Sequence, residues 1–520
     1  MNQGATMADA RDQQETIAFL GDAAAYGRSG PVETVETHGA IVFLVGDRAY
    51  KLKRAVDLGF LDFSTIDKRR AVCEAELALN RRTAPDIYLA LRQVGRLADG
   101  ALALDAGEAV DWLIEMRRFA PGALLSEVAA RGELAPAMVR DLADAIAAFH
   151  DRAEVDISGD GAARMQRVID GNRAALANAG LARADRERWE HAIRAAMARH
   201  APLLDARAAS GHVRHCHGDL HLHNICLWQG RPTLFDCLEF DQDLATTDVL
   251  YDVAFLVMDL WHEGMRAEAA LLLNRYLDMR EEGGGMAAMP LFLSARSAVR
   301  AHVNALAAAR QRDPAEATRQ ARKGRRYLAQ AIAFLAPEPP LLVAVGGLSG
   351  TGKSTLAGVL ASGLGAAPGA RWLRSDVLRK RRAGVRPEET LPVEAYAPGE
   401  SAAVYVALMG EAAAMLGAGR AVIVDGVFAR ADERARMEHV AQEAGVPFIG
   451  LWLEAPRAAL LARVRDRHGD ASDAGPEVVE QQFGYDLGHL AGWQRVDASG
   501  TPGDTLARAR AAITRRGLPR

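Results

Sequence analysis

The spacing of hydrophobic and polar residues in the first 340 positions predicts a β-hairpin followed mainly by helices. Residues 41–56, IVFLVGDRAYKLKRAV, alternate on both sides of Gly46-Asp47, a dipeptide typical of tight hairpin turns. Helical periodicity then follows in four segments: residues 67–82, 136–152, most of 161–210 and about 247–335. The stretches 215–227 and 231–241 lack this periodicity and predict short strands and loops.

A different pattern begins after a proline-rich seam. Pro337, Pro339 and Pro340 separate an alanine-rich helical pattern from a short apolar run, which places a domain boundary near residue 338. Beyond the seam, LLVAV, AVIVDG and PFIGLWLEA read as buried strands that alternate with helical patterns. This alternation predicts an α/β domain with a parallel sheet.

Composition narrows the class of protein. The chain has 520 residues, 49% of them hydrophobic, so it can bury two or three cores. A formal net charge of -4 argues against a general nucleic-acid or membrane-surface binder. Four cysteines do not form a disulfide framework, and neither a secretory start nor a spanning apolar run is recognisable. We therefore expect a cytoplasmic protein that does not bind membranes.

The run GLSGTGKST, directly after LLVAV, fits the P-loop pattern G-x-x-x-x-G-K-[ST]. Glycines let consecutive N–H groups face phosphate oxygens, while Lys353 would contact the β and γ phosphates and Ser354 would hold Mg²⁺. The alternative is a glycine-rich turn with a chance lysine. The predicted ATP-binding residues here are Gly347, Ser349, Gly350, Thr351, Gly352, Lys353, Ser354 and Thr355.

Acidic and basic residues downstream supply candidates for catalysis. Asp425 ends the run AVIVD, where a carboxylate could hold Mg²⁺ or act as a base. Asp376, in RSDVLRK, could orient an acceptor hydroxyl, and Arg379 could bind an anionic substrate. The alternatives are a helix N-cap for Asp376 and a solvated charge for Arg379.

Three arginines precede a glycine-containing turn in RVRDRHGDASDA: Arg463, Arg465 and Arg467. Planar guanidinium groups suit bidentate contacts with phosphoryl oxygens, so Arg463 and Arg467 are candidates for a catalytic lid. An exposed helix with solvated charges is the alternative for each of them.

Together these motifs resemble the small P-loop kinases grouped with gluconate kinases, polynucleotide 5'-hydroxyl kinases and zeta-toxin-like proteins. The resemblance covers about residues 341–515. It implies ATP binding by the P-loop, acceptor contact by the aspartate after the second strand, and a mobile lid that bears arginines. Substrates differ within that group, so the resemblance indicates phosphoryl transfer and leaves the acceptor open.

The stretch HCHGDLHLHNICL, residues 215–227, predicts either a metal site or a catalytic loop. Its histidines and cysteines could bind zinc, but the close cysteine pairing of common zinc sites is missing. His217-Gly218-Asp219 with Asn224 instead fits H-x-D-x-x-x-x-N, and Asp236 follows twelve residues later. That pattern assigns Asp219 as the base, with Asn224 and Asp236 as oxygen ligands of Mg²⁺.

A lysine on the hairpin completes this second site. The A-x-K alternation of the second strand puts Lys51 and Lys53 on one face, where either could contact ATP phosphates or lie solvated at an edge. Lys51 is the preferred candidate. Glu76 is the predicted ion-pair partner that positions the lysine and Glu74 the second choice, although a surface i,i+4 charge pair would explain either.

With TTDVLYDVAFLVMDL, these features make residues of about 30–335 resemble the aminoglycoside phosphotransferase family of protein-kinase-like enzymes. The usual G-x-G-x-x-G loop is absent before the lysine, which is a departure from ordinary protein kinases. More closely, AYKLKRAVDLGF and LFDCLEFD resemble bacterial proteins that fuse such a domain to a P-loop domain. The resemblance implies a bilobal α+β kinase-like domain followed by an α/β P-loop NTPase domain.

The resemblance also assigns further roles. It implies that Asp248 and Asp252 hold the loop in place, that residues 111–119 form the adenine-binding hinge, and that His221 and His223 are structural or face substrate. The expected domains are an extension at 1–29, a kinase domain at 30–337 with its small lobe ending near 115, and a P-loop domain at 338–520.

We therefore expect a bifunctional phosphotransferase that uses ATP and Mg²⁺ and acts on hydroxyl groups of small molecules, with aminoglycosides among the candidates. In the alternative, the P-loop half is a polynucleotide-type or toxin-type kinase or a regulatory ATPase, tuned by the other half. A basic trough would favour nucleic acid. The residues that would form it are Arg374, Arg379, Lys380, Arg381 and Arg382, although such a run is usually a solvated helix face.

Overall fold

A computed structural model describes residues 13–37, 39–57, 62–466 and 469–514. In this part of the chain the helices are α1 (13–20), α2 (Ile66–Asn80), α3 (Leu125–Ala130), α4 (Pro136–Arg152), α5 (Gly161–Ala177), α6 (Arg183–Ala209), α7 (Gln242–Ala245), α8 (Val249–His262), α9 (Arg266–Met279), α10 (Met289–Arg310), α11 (Pro314–Phe334), α12 (Lys353–Ala361), α13 (Ser375–Arg382), α14 (Pro398–Gly417), α15 (Ala431–Glu443), α16 (Arg457–Arg465), α17 (Pro476–Phe483) and α18 (Pro502–Thr514).

The strands of the described residues are β1 (Glu33–Glu36), β2 (Ala40–Val45), β3 (Arg48–Lys53), β4 (Tyr88–Arg96), β5 (Leu102–Leu104), β6 (Glu108–Arg117), β7 (Val155–Asp156), β8 (Val213–His215), β9 (Ile225–Trp228), β10 (Arg231–Leu234), β11 (Thr246–Asp248), β12 (Leu342–Gly347), β13 (Arg371–Arg374), β14 (Val422–Asp425), β15 (Phe448–Glu454) and β16 (Trp493–Asp497).

The chain divides into two compact units, and neither is continuous in sequence. The first unit contains residues 1–156 and 212–252, and the second contains 157–211 and 253–520. Compactness therefore groups α5, α6 and α9 to α11, which precede the seam, with the P-loop region after it. The expected boundary near residue 338, between the kinase-like domain and the P-loop domain, remains a prediction.

The first unit contains a six-stranded antiparallel sheet in the order β1-β2-β3-β6-β4-β5. The predicted hairpin is confirmed, because β2 and β3 pair around Gly46, whose φ of 59° suits a glycine turn. Inward side chains of β2, β3 and β6, such as Phe43, Leu52 and Leu113, form a buried core on the sheet. The helix predicted at 67–82 is α2, and the Thr65 side chain caps its first turn.

Two small antiparallel sheets in the first unit contain the strands at the two ends of the stretch 215–227. Strand β8 lies between β11 and β7, and β9 pairs with β10. The segment between β8 and β9 is a loop with a short 3-10 turn at Leu222–Asn224. Strands and loops were predicted here, and the paired strands on both sides fix the two ends of the loop.

The second unit contains a five-stranded parallel sheet in the order β13-β14-β12-β15-β16. All six residues of β12 are buried, as expected of a strand covered on both faces. Its core includes Val343, Ile423 and Leu451 from the sheet and Ala357 from α12. The predicted parallel α/β architecture is confirmed, with β12, β14 and β15 at the three strand-like runs.

The same unit contains the long helices α5, α6 and α9 to α11 and most of α8. Helix α11 begins with Asp313 capping Ala315, and Pro314 occupies its first turn. No helix of the described residues is both long and apolar enough to cross a membrane.

Candidate active sites

In the first unit, Lys51 is held between two carboxylates. Its Nζ lies 2.7 Å from Oε1 of Glu76 on α2 and 2.6 Å from Oδ1 of Asp236. The Lys51 side chain is 12% exposed and that of Glu76 is fully buried. Although burial alone would lower it, the pKa of Lys51 is raised well above its usual value by Asp236 and Glu76. Lys51 is therefore a fixed cation at this site.

Lys53 lies deeper in the same charge cluster. Its Nζ is 2.5 Å from Oε2 of Glu76 and 2.5 Å from Oε1 of Glu239, and its side chain is 3% exposed. Burial raises the pKa of Glu239, and the lysines only partly oppose this effect. Glu74, the second choice for the lysine partner, instead pairs with Arg70 on the surface of α2. The contacts therefore favour Lys51 and Glu76 for the nucleotide site, with Lys53 as a buried counterion.

The loop after β8 brings Asp219 and Asn224 together. Asn224 donates its Nδ2 to the main-chain oxygen of Asp219 at 3.0 Å and to Oδ2 of its carboxylate at 2.9 Å. The Nε2 atom of His221 lies 3.4 Å from the same Oδ2, and its Nδ1 accepts from the N–H of His223. The His221 side chain therefore contacts both Asp219 and the main chain of the loop, and whether either histidine faces substrate stays a prediction.

Asp252 anchors the start of this loop. One of its oxygens accepts from the N–H of Gly218 at 2.9 Å, and the other accepts from the N–H of His217 at 3.2 Å. The Nε2 of His150 lies 3.1 Å from that second oxygen. Asp248 accepts from the N–H of Leu250 at the start of α8. Asp252 thus contacts the loop as expected, whereas the contact of Asp248 is to the start of α8.

Asp236 is placed next to Asn224 by main-chain contacts. The N–H of Phe235 donates to the Asn224 carbonyl at 3.0 Å, and the N–H of Asp236 donates to the Tyr88 hydroxyl at 3.2 Å. Asp236 itself has a φ of 60°, a conformation that non-glycine residues rarely adopt. Burial would raise the pKa of Asp236, but Lys51 and Lys53 lower it below its usual value. The residue is held as a carboxylate in a strained conformation, which is common at functional sites.

These donors fit a magnesium ion. Because the amide nitrogen of Asn224 bonds to Asp219, its amide oxygen is the atom that can bind a cation. Asp236 contributes carboxylate oxygens, and Mg²⁺ prefers oxygen ligands. The cysteines considered for zinc, Cys216, Cys226 and Cys237, are buried and form no disulfide bond.

In the second unit, the P-loop has the backbone expected of a phosphate cradle. Gly347, Gly350 and Gly352 have φ values of 144°, 84° and 88°, which side chains at these positions would oppose. Helix α12 begins at Lys353, so its N-terminus faces the loop. The Nζ of Lys353 donates to the carbonyl of Leu348 at 3.1 Å.

Side chains around the P-loop hold it in this shape. Gln482 of α17 accepts from the N–H of Ser349 at 2.7 Å, and the Thr351 hydroxyl donates to the Leu348 carbonyl at 2.7 Å. Both Ser349 and Thr351 are buried. The side chains of Gln482 and Thr351 therefore stabilise the loop, while Ser354 lies in the first turn of α12 with Thr355.

Asp425 lies at the end of β14, beside the P-loop strand. It is 4% exposed, and its Oδ2 accepts from the indole N–H of Trp372 at 2.8 Å. Burial raises the pKa of Asp425, against the opposing effects of Arg374 and the Trp372 N–H. Asp425 is paired with Val345 of β12, so the carboxylate lies at the same end of the sheet as the P-loop. An oxygen donor so close to the P-loop fits a role towards Mg²⁺.

Asp376 lies in the first turn of α13 and is not its N-cap, which is Arg374. Arg379 is buried, donates to the carbonyl of Ala395 at 2.7 Å and lies 4.7 Å from the ring centre of Tyr396. The solvated alternative for Arg379 is thus wrong in this structure.

Other cations of the predicted basic trough have acidic partners. Arg374 pairs with Asp470 at 2.7 Å and Lys380 with Asp473 at 2.9 Å, and Arg381 contacts Glu411. These contacts do not favour a groove for nucleic acid, because the three charges are already neutralised within the unit.

The lid arginines are not brought to the P-loop by described contacts. Arg463 donates to the carbonyls of Ala498 at 2.9 Å and Gly500 at 3.2 Å. Arg465 is exposed, and Arg467 lies outside the described residues. Catalytic roles for Arg463 and Arg467 therefore stay predictions.

Sequence reasoning missed three residues that shape these sites. Glu239 was signalled only by its place three residues after Asp236. Asn80 accepts from the N–H of Cys237 and ties α2 to the loop of Asp236, with no local signal. No local sequence signal indicated the role of Trp372, because its partner, Asp425, is 53 residues away.

Two family models match the chain. Residues 70–292 match the phosphotransferase enzyme family, and residues 342–485 match an AAA domain model. The chain joins a phosphotransferase-family domain to a P-loop domain. Because both are kinase-type domains, the protein is a phosphotransferase enzyme, with the α+β and α/β folds expected of the two parts.

Relatives and solved structures extend the comparison. An uncharacterized protein of Mycobacterium tuberculosis (strain ATCC 25618 / H37Rv) is 29% identical over 488 residues, which are 90% of this chain and 93% of the relative. A choline/ethanolamine kinase family protein from Mesorhizobium loti is 15% identical with a TM-score of 0.38, covering 62% of this chain and 99% of its own. A gluconokinase from Sinorhizobium meliloti 1021 is 20% identical with a TM-score of 0.25, covering 35% and 95%.

Proposed function

We propose that the protein is a bifunctional phosphotransferase that uses ATP and Mg²⁺ at two sites. Each site would transfer the γ-phosphoryl group of ATP to a hydroxyl group of a small molecule, such as a sugar-like metabolite, with aminoglycosides among the candidate acceptors. The supporting observation is that each half has a candidate phosphate-binding lysine with a buried or fixed carboxylate at the same site. In one half Lys51 contacts Asp236, and in the other Lys353 follows strand β12, whose Val345 pairs with Asp425 of β14.

In the first half, Asp219 is proposed to accept the proton of the acceptor hydroxyl. The contact with Asn224 fixes its carboxylate, and a positioned base contributes about 10²–10⁴-fold to such reactions. Lys51 would bind ATP phosphates with Glu76 holding it in place, while Asn224 and Asp236 would hold Mg²⁺. The metal would neutralise the charge of the phosphate oxygens.

In the second half, the P-loop from Gly347 to Thr355 is proposed to bind the ATP phosphates. Lys353 would contact the transferred group, and Ser354 and Asp425 would hold Mg²⁺ directly or through water. Asp376 and Arg379 would face the acceptor. Both lie in α13, which follows directly from the strand beside β14.

The test is transfer of labelled γ-phosphate to a pooled panel of hydroxyl metabolites, aminoglycosides and 5'-hydroxyl oligonucleotides. Asp219→Asn should lower transfer to one acceptor by about 10²-fold or more, and Lys353→Ala should abolish transfer to another. Matched controls are Asp243→Asn on exposed α7 and Lys323→Ala on α11, which should leave both transfers unchanged. Chelation of Mg²⁺ should stop both reactions.

Two results would contradict the proposal. If no acceptor is phosphorylated and only Lys353→Ala alters nucleotide turnover, the first half is not a second kinase. If the oligonucleotide is the acceptor of the Lys353-dependent reaction, the small-molecule assignment of that half is wrong.

A further inference from the structure

The edge strand of the parallel sheet is completed by a side chain from a helix. Strand β13 pairs with β14 on one side only, so its other side carries main-chain groups without a strand partner. Asn274 of α9 supplies two bonds at the start of this open side. Its Nδ2 donates to the Ala370 carbonyl at 3.1 Å, and its Oδ1 accepts from the Trp372 N–H at 2.8 Å. The amide thus replaces one residue of a neighbouring strand.

An ion pair fixes the same helix to the same strand. Arg371 lies 2.7 Å from Oδ1 of Asp278, and their side chains are only 5% and 13% exposed. Arg371 also donates to the main-chain oxygen of Asn274 at 3.1 Å. Because a buried charge needs its partner, these contacts hold α9 and β13 in one relative position.

Trp372 links helix α9 to the carboxylate of Asp425 beside the P-loop. Its main-chain N–H is held by Asn274, and its indole N–H is held by Asp425 Oδ2 at 2.8 Å. The guanidinium of Arg374 lies 4.8 Å from the indole ring centre. A single residue therefore separates helix α9 from the carboxylate beside the P-loop.

We propose that Asn274 is a positioning residue for the P-loop site. By fixing the main chain of Trp372, it fixes the indole that orients Asp425, so that Oδ1 is the oxygen presented to Mg²⁺ or its bound water. This inference rests on the proposed function of Asp425. It means that phosphoryl transfer by the P-loop half depends on a helix that lies before the seam, in sequence that resembles the other kinase domain.

The experiment compares Asn274→Ala, Asn274→Asp and Trp372→Phe in the full-length protein. Alanine removes the bonds of the Asn274 side chain to the Ala370 carbonyl, the Trp372 N–H and the Arg371 guanidinium. Aspartate keeps the acceptor for the Trp372 N–H, and phenylalanine removes only the indole donor. Asn172→Ala is the matched control. Asn172 is equally buried in the same unit and also joins two elements, donating to the Ala295 carbonyl at 3.0 Å.

Three quantities are measured for each variant. They are the kcat and KM of Lys353-dependent turnover, the gain in ADP affinity on adding Mg²⁺, and hydrogen exchange in residues 370–374. Loss of a group that orients a metal ligand typically lowers metal affinity or activity by about 10–100-fold. We expect such a loss in kcat and a clear loss in the Mg²⁺-dependent gain for Asn274→Ala and Trp372→Phe. The KM for ATP and the affinity for ADP without Mg²⁺ should change little.

The pattern across variants separates positioning from general destabilisation. Asn274→Asp should recover part of the kcat, and Asn172→Ala should lower thermal stability without lowering kcat. The double variant of Asn274→Ala and Trp372→Phe should lose no more kcat than the worse single variant, because both act through one contact. Multiplicative losses, or an unchanged kcat in Asn274→Ala, would overturn the proposal.

Failure of the proposed function gives a different result. A wild-type protein with no Lys353-dependent binding or turnover would refute the P-loop kinase itself. Hydrogen exchange still tests the link to β13 in that case. Exchange in residues 370–374 that Asn274→Ala does not accelerate would overturn the inference on its own.

Discussion

At the scale of single residues, Lys51 and Lys53 differ in how much they contribute to stability. Both contact Glu76, but the other partner of Lys51, Asp236, is 37% exposed, whereas that of Lys53, Glu239, is 10% exposed. Removing one partner of a buried charge pair leaves the other charge without compensation. Lys53 should therefore matter more for folding and Lys51 more for phosphate binding.

We expect Lys53→Met to lower the free energy of unfolding by about 3–5 kcal/mol, measured by urea denaturation. Lys51→Met should destabilise less and should abolish transfer by the Asp219-dependent site. Arg70→Met is the control, since its partner Glu74 is half-exposed and surface changes stay within about 0.5 kcal/mol. Equal stability losses for the two lysine variants would contradict this assignment.

Gly218 offers a second test at this scale. Its φ is 81°, and a Cβ there would lie 2.8 Å from the Cβ of Leu238. Gly230 has a similar φ of 77° with no atom within 4 Å of such a Cβ. Each alanine variant should lose about 1–2 kcal/mol through the backbone, and Gly218→Ala should lose more through the clash. Thermal unfolding of both variants measures this difference. Equal losses would mean that the loop moves away from Leu238 without a further loss of stability.

At the scale of elements, the sequence predicted structures whose signal is local. The hairpin of β2 and β3, helix α4 and the P-loop each depend on a periodicity or motif within about twenty residues. Strands β4 to β6 were not predicted, although β4 pairs with its sequence neighbour β5, as at Arg96 and Leu102. The contact between Lys53 and Glu239, by contrast, spans 186 residues, so no local pattern could reveal it.

In the segment of residues 469–475, Asp473 contacts both helix α13 and the stretch from Leu391 to Tyr396. Asp473 accepts from Lys380 of α13, from the Tyr396 hydroxyl at 2.5 Å and from the N–H of Leu391 at 3.0 Å. Burial would raise the pKa of Asp473, but Tyr396, the Leu391 N–H and Lys380 together lower it below its usual value. Its charged form is therefore the one that stabilises the fold.

Because the pKa of Asp473 is lower in the folded state, its contribution is complete above the unfolded value of about 3.9. It disappears as the pH falls through the lowered folded-state pKa. Asp473→Asn should therefore unfold at a lower temperature than the wild type at pH 7, and the difference should shrink below about pH 4. Melting temperatures measured from pH 7 to pH 3 test this. A difference independent of pH would show that the charge of Asp473 is not its source.

At the scale of the whole molecule, the compact units do not follow the order of the chain. Helix α9 precedes the seam but shares buried contacts with β13, which follows it. The proline-rich seam was a sound local signal for a change of pattern. It could not reveal whether a given helix packs against residues before or after the seam. Packing depends on side-chain contacts between segments that are distant in sequence.

We therefore expect α9 and β13 to open together in native-state hydrogen exchange. Their amides should show the same dependence on denaturant, since elements that share buried contacts open as a unit. The amides of β2 and β3 in the first unit serve as the comparison, with their own dependence. Opening of α9 at denaturant concentrations where β13 stays protected would contradict this expectation.

The contact between Lys51 and Asp236 has a consequence for nucleotide binding. One ammonium group lies 2.6 Å from the carboxylate oxygen, and a nucleotide phosphate would need that same ammonium. If Lys51 binds ATP as proposed, ATP binding would be an exchange of anions on Lys51, in which a phosphate would take the place of Asp236 and the released carboxylate would become available to the metal. The ordered exchange would make ATP and Mg²⁺ enter as a pair, so neither alone should saturate the site at the concentration at which both together do.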